Sequence, residues 1–123
     1  MTLVLVGVGG FLGAVSRYLV DGWVSNLSGA TFPFGTLLIN VSGSFVLGVL
    51  FALSVERAVI PPAIRTPVLI GFIGAYTTFS TLTLETWRLV EDGSLAAAFG
   101  NLAGSLLLGM VAVVAGLALG RAM

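Results

Sequence analysis

The sequence predicts an all-α integral membrane protein, a bundle of four spanning helices, and three observations carry that prediction. The 123 residues are 58% hydrophobic and only 8% charged, where a soluble domain carries about a quarter charged residues, and the mean hydropathy is +1.15. The apolar residues gather into four runs, each long enough to cross a hydrocarbon core about 30 Å thick at roughly 1.5 Å per residue. Polar residues, Pro and Gly collect between those runs, where turns belong. No fixed-period repeat, low-complexity tail or composition shift divides the chain, so residues 1–123 read as one domain.

The first span is about residues 3–20. It has no basic segment before it and is longer and less punctuated than a cleaved leader, so it reads as a retained span. Asn26, Ser28, Gly29 and Thr31 supply turn and cap chemistry, and Pro33 opens the second span, about 34–55. Glu56, Arg57, Pro61 and Pro62 make a short polar connection. Pro67 falls where a helix's first turn tolerates it, and the third span is about 66–86. Trp87 and Arg88 sit at headgroup level, Glu91, Asp92, Gly93 and Ser94 make a turn, and the last span is about 95–119.

Composition also excludes functions. Net charge is zero, which gives no attraction to nucleic acid. Absence of Cys and His removes disulfide scaffolds, thiolate or imidazole metal sites and Cys or His nucleophiles. Four crossings put both termini on one side, with Arg57, Arg65 and Arg121, against Arg17 and Arg88 on the other. Orientation normally follows a clear Lys/Arg excess. A near tie predicts weakly specified insertion in both orientations, which makes an antiparallel dimer natural. The alternative is that tilted helices displace two or three of these positions.

Lipid satisfies no hydrogen bonds, so polar residues inside spans face other helices or a water-accessible path. In span one, Gly9, Gly13 and Arg17 recur every fourth residue, a surface for close helix approach that ends in a cation. Span two carries Thr36, Asn40, Ser44 and Gly48 at the same spacing, and the Asn40 amide either donates toward an anion or ties two helices together. Span four repeats the pattern in Asn101, Ser105 and Gly109, where packing is the simpler reading. Span three is the strongest segment, because five of the seven residues 77–83 bear hydroxyls. Gly and β-branched residues there disfavour a continuous helix, which predicts a break near residues 74–78 whose carbonyls suit a cation. Ser80 and Thr81 would line a path for a small anion, with the positive ring edge of Phe79 facing it. The competing reading is a bent helix whose hydroxyls bond back to their own carbonyls.

Three segments then carry a resemblance: GGFLGAVSRY at residues 9–18, PFGTLLINVSGSFVLG at 33–48 and GFIGAYTTFSTLTLE at 71–85. In order and spacing they closely resemble the Fluc (CrcB) family of bacterial fluoride channels. The resemblance implies a multi-pass protein of the bacterial inner membrane that lets fluoride leave the cytoplasm passively. It implies an antiparallel, dual-topology homodimer with two pores at the subunit interface and a structural Na⁺ on the dimer axis. Carried over by motif, Asn40 would be a pore amide with Thr36 one turn before it, and Arg17 the cation at the vestibule. Phe79 would be the first of two pore rings, Ser80 and Thr81 the hydroxyl track, and Ser105 a further hydroxyl. Gly74 and Thr77 would offer the carbonyls that bind Na⁺.

One position departs from the family pattern: Leu82 stands where a second phenylalanine is usual, and leucine has no electropositive ring edge. Ala75 and Tyr76 also differ from the more usual residues before the two threonines. A proton-coupled small multidrug exporter is the main rival reading and would need a buried acid in its first span, where this chain has Arg17. A membrane scaffold without transport would leave the buried hydroxyls unexplained. No nucleophile with a base or metal site suggests an enzyme.

Overall fold

The computed structural model describes all residues, Met1–Met123. It is helical with no strand, and four helices are long and apolar enough to cross a membrane: Thr2–Ser28, Phe34–Glu56, Pro62–Glu91 and Leu95–Ala122. In finer detail, α1 is Thr2–Ser28 and α2 is Phe34–Phe51, continued by a π-helical stretch Ala52–Glu56. α3 (Pro62–Thr66) runs through a π-helical stretch Pro67–Ile73 into the single turn α4 (Gly74–Tyr76), and α5 (Phe79–Glu91) and α6 (Leu95–Ala122) follow.

The helix ends follow local chemistry. Gly29 takes φ 57 and its N–H donates to the Ser25 carbonyl at 3.1 Å, the left-handed cap that stops α1. Pro62 opens α3 at a position where a missing N–H costs nothing. Helix α1 therefore runs past residue 20, because nothing before Gly29 stops it and Asn26 and Ser28 are absorbed into its last turns. Asp21 thus belongs to α1 and not to the connection. It lies level with Gly35 at the start of α2, where an added Cβ would meet the Asp21 carboxyl.

Two close crossings hold the bundle. A Cβ at Gly13 would collide with the Phe72 carbonyl, which is what brings α1 onto the Pro67–Ile73 stretch. A Cβ at Gly116 would collide with the Phe45 carbonyl, which does the same for α2 and α6. Without a hydrophobic drive between helices in lipid, such close backbone approach is what association rests on. Only 19 of 123 residues are buried, so apolar side chains such as Phe11 and Leu107 cover the outside, a surface suited to lipid and not to water.

The two ends of the bundle differ. At one, Arg121 donates to both oxygens of Glu56 at 2.8 Å, and Arg57 donates to the Gly120 carbonyl at 3.2 Å, joining the ends of spans two and four. At the other, Asp21, Glu85, Arg88 and Asp92 border a common recess. Within the third span, Thr77 (φ −79, ψ 158) and Thr78 (φ −151, ψ 120) are extended between helical Tyr76 and Phe79.

Candidate functional site

The two extended threonines organise the site, because a helix that loses residues leaves backbone groups needing partners. Thr77 still bonds back, its N–H and its Oγ1 both donating to the Ile73 carbonyl at 3.0 Å. In a continuous helix the Thr78 N–H would go to the Gly74 carbonyl. Here it donates to Asn40 Oδ1 at 2.8 Å, and Asn40 Nδ2 donates to the Thr78 carbonyl at 2.9 Å. One side chain of α2 thereby satisfies both backbone groups of Thr78. The Ala75 carbonyl receives Arg17 Nε at 3.1 Å, a guanidinium at the carbonyl end of a helix, where a cation is favoured. Thr78 Oγ1 accepts from the Thr81 N–H at 3.3 Å and donates to Thr81 Oγ1 at 3.0 Å, capping α5.

Around this pair lie two clefts. The first, of about 230 Å³, is bordered by Asn40, Ser44, Thr77, Phe79, Leu82 and Ser105 among others. The second, of about 300 Å³, is bordered by Arg17, Asp21, Thr36, Thr78 and Thr81. Thr78 borders both. Asp21 also borders a third recess of about 310 Å³ with Glu85, Arg88 and Asp92, which leads to the rim. Polar side chains therefore continue along one flank from the interior to one end of the bundle.

Asn40, Thr77, Phe79, Leu82 and Ser105 come together in the first cleft, and Arg17, Thr36 and Thr81 in the second. Ser80 and Gly74 are exposed on the protomer's outer surface and border neither. Phe79 is 71% exposed, Leu82 only 4% and Ser105 only 6%. The Ser105 hydroxyl is buried with no hydrogen-bond partner in the protomer. Some hydroxyls do bond back to their own helix: Thr83 Oγ1 to the Ser80 carbonyl at 2.9 Å and Thr86 Oγ1 to the Leu82 carbonyl at 2.8 Å. Those of Thr36, Thr78 and Ser105 do not.

Sequence reasoning missed Glu85. It lies inside α5 and accepts from Thr36 Oγ1 at 2.9 Å, while its second oxygen is buried without a partner. Its position at the end of the hydroxyl-rich segment was the only signal, since the Thr36 partner is 49 residues away. Asn101, on the small-residue stripe of span four, is fully buried and packs against span three, donating to Thr86 Oγ1 at 2.9 Å. The Tyr76 hydroxyl lies 3.0 Å from Ser42 Oγ, tying α4 to α2.

The first cleft offers an amide N–H, hydroxyls and a ring edge with no carboxyl among its lining, a set that solvates a small anion. Fold and site define the class: a small helical protein with four helices able to cross a membrane and a polar cleft suited to a small anion. The chain belongs to the CrcB family, whose model, described as CrcB-like protein, Camphor Resistance (CrcB), matches residues 4–117. It is 49% identical over 119 residues to a protein of Hahella chejuensis, covering 97% of this chain and 94% of that one. It is 44% identical to one of Trichormus variabilis (96% and 87% covered) and 44% identical to one of Magnetococcus marinus (98% of both). All three relatives bear the name fluoride-specific ion channel FluC.

Proposed function

We propose that this chain conducts fluoride passively out of the bacterial cytoplasm across the inner membrane, lowering fluoride toxicity. The observation that carries the reading is the first cleft, whose lining includes the Asn40 amide, the unpartnered, buried Ser105 hydroxyl and the Phe79 ring. Fluoride is small, strongly hydrated and a strong acceptor, so donors packed in a narrow path replace its water where chloride fits poorly. Arg17 supplies positive charge at the second cleft, with Thr36 one turn before Asn40, and Thr81 with Ser80 forms the hydroxyl track beyond Phe79. Leu82 closes the first cleft with an aliphatic side chain, leaving Phe79 the one ring among its lining.

The cleft lies open at the protomer's surface and Phe79 is largely exposed, which favours completion by a second copy. The unit we propose is an antiparallel, dual-topology homodimer with two pores at its interface, embedded in lipid. The extended pair Thr77–Thr78 is then the break in span three. It fits a structural Na⁺ on the dimer axis: Asn40 takes the Thr78 N–H that would have bonded the Gly74 carbonyl, and Gly74 is exposed. Gly74 and Thr77 carbonyls from two copies would hold the ion, which supplies charge to fix the interface. Asp21, although part of α1, is exposed and level with the start of α2, a rim position unlike the buried acid a proton-coupled exporter needs.

Cells lacking their own fluoride exporter test the reading. This chain should restore growth in millimolar fluoride on the order of the rescue given by the Hahella chejuensis relative, and Phe79→Ile should abolish it. Failure to rescue by well-expressed membrane-inserted protein contradicts the proposal.

A further inference from the structure

We propose that Asn40 is a positioning residue that imposes the interruption of span three, in addition to any donation to a passing ion. The local sequence does not enforce an extended Thr78. Threonine's reluctance to be helical is a weak preference, whereas leaving a backbone N–H and C=O unpaired at membrane depth is far more costly than that preference can offset. An extended Thr78 persists only if one partner supplies an acceptor and a donor in register. The carboxamide of Asn40 does so, at 2.8 and 2.9 Å.

Three consequences follow from the same geometry. Asn40 is fixed in one flip state, because its oxygen must face the Thr78 N–H and its nitrogen the Thr78 carbonyl. Only one of its two amide N–H groups remains for the first cleft. Finally, the Gly74 carbonyl loses its helical donor because Asn40 has taken it, while the neighbouring Ala75 carbonyl is covered by Arg17. Two side chains from spans one and two thus decide which carbonyls of span three are occupied and which are open.

The consequence for flux rests on the channel reading; the consequence for the backbone does not, and the test separates them. The probe is the Thr78 amide in isotope-labelled protein reconstituted in lipid or detergent, followed by nuclear magnetic resonance beside fluoride efflux. In the unmodified protein the Thr78 amide proton should show a cross-peak to the Asn40 carboxamide. Asn40→Asp keeps the acceptor but turns a second acceptor against the Thr78 carbonyl, and Asn40→Ala removes both legs, so both should accelerate Thr78 hydrogen exchange, alanine by about tenfold or more, the loss of one hydrogen bond. Fluoride efflux should fall in both. Thr78 keeping both the parent's exchange rate and its extended backbone chemical shifts in Asn40→Ala overturns the proposal. So does absence of the cross-peak, which needs no variant to fold. The exchange pattern holding while no form of the protein conducts fluoride would sustain the positioning role and defeat the channel reading.

Discussion

Ser105→Ala separates a hydroxyl that serves an ion from one that serves the fold. In the protomer the Ser105 hydroxyl is 6% exposed as a residue, borders the first cleft and has no partner. An unpaired buried hydroxyl costs about 1–3 kcal/mol, and alanine removes that cost while leaving at most a small void. Stability should therefore be unchanged or higher by about 1 kcal/mol, because removing an unsatisfied group is near neutral or favourable. Conduction should move the other way. A hydrogen bond to a charged partner is worth about 1.5–3 kcal/mol, so a hydroxyl that replaces fluoride hydration during passage should slow efflux about 10- to 100-fold when lost. The assays are fluoride efflux from liposomes and denaturant unfolding of the same preparation in detergent. Efflux within about twofold of the parent refutes the reasoning because the hydroxyl then does not serve the ion, and a stability loss above about 1 kcal/mol refutes it by giving the hydroxyl a structural partner.

Gly13→Val should prevent α1 from reaching the Phe72 carbonyl and destabilise the protein by about 1–3 kcal/mol or more, read as a lowered yield of monodisperse protein and a lower unfolding midpoint. Leu82→Phe adds a ring edge to the first cleft but forces volume into a 4% exposed site; fluoride efflux should rise while stability drops by about 1–3 kcal/mol, and slower efflux would contradict the assigned role of the ring. Arg121→Ala removes the bidentate pair with Glu56, whose side chains are 58% and 33% exposed, and should leave the unfolding midpoint unchanged at both low and high salt.

The fold was legible because bilayer crossing imposes length and apolarity, and the chain has four runs of both. The end of α1 was less legible. Asn26 and Ser28 look like turn residues, but only Gly29, with its left-handed φ, stops the helix. In the site, residues 77–83 announced themselves through hydroxyl density. The long-range partners of span three did not: Asn40 reaches Thr78 across 38 residues, Arg17 reaches Ala75 across 58 and Thr36 reaches Glu85 across 49. Fourfold spacing shows that Thr36, Asn40 and Ser44 share a helix face, and says nothing of what that face meets. Glu85 escaped notice for the same reason, its position near a predicted span end concealing a half-buried carboxyl. Asn101 shows the converse, since a buried amide on a small-residue stripe does pack, bonding Thr86 and leaving its oxygen unpaired.

The central claim is selective passage of fluoride, and efflux from liposomes holding the purified protein tests it most directly. Vesicles loaded with fluoride or chloride are followed by ion-selective electrodes, with Na⁺ present. The account predicts rapid fluoride release with little chloride release, and loss of the fluoride signal in Phe79→Ile. Equal release of both ions, or release of neither from well-folded protein, would contradict it.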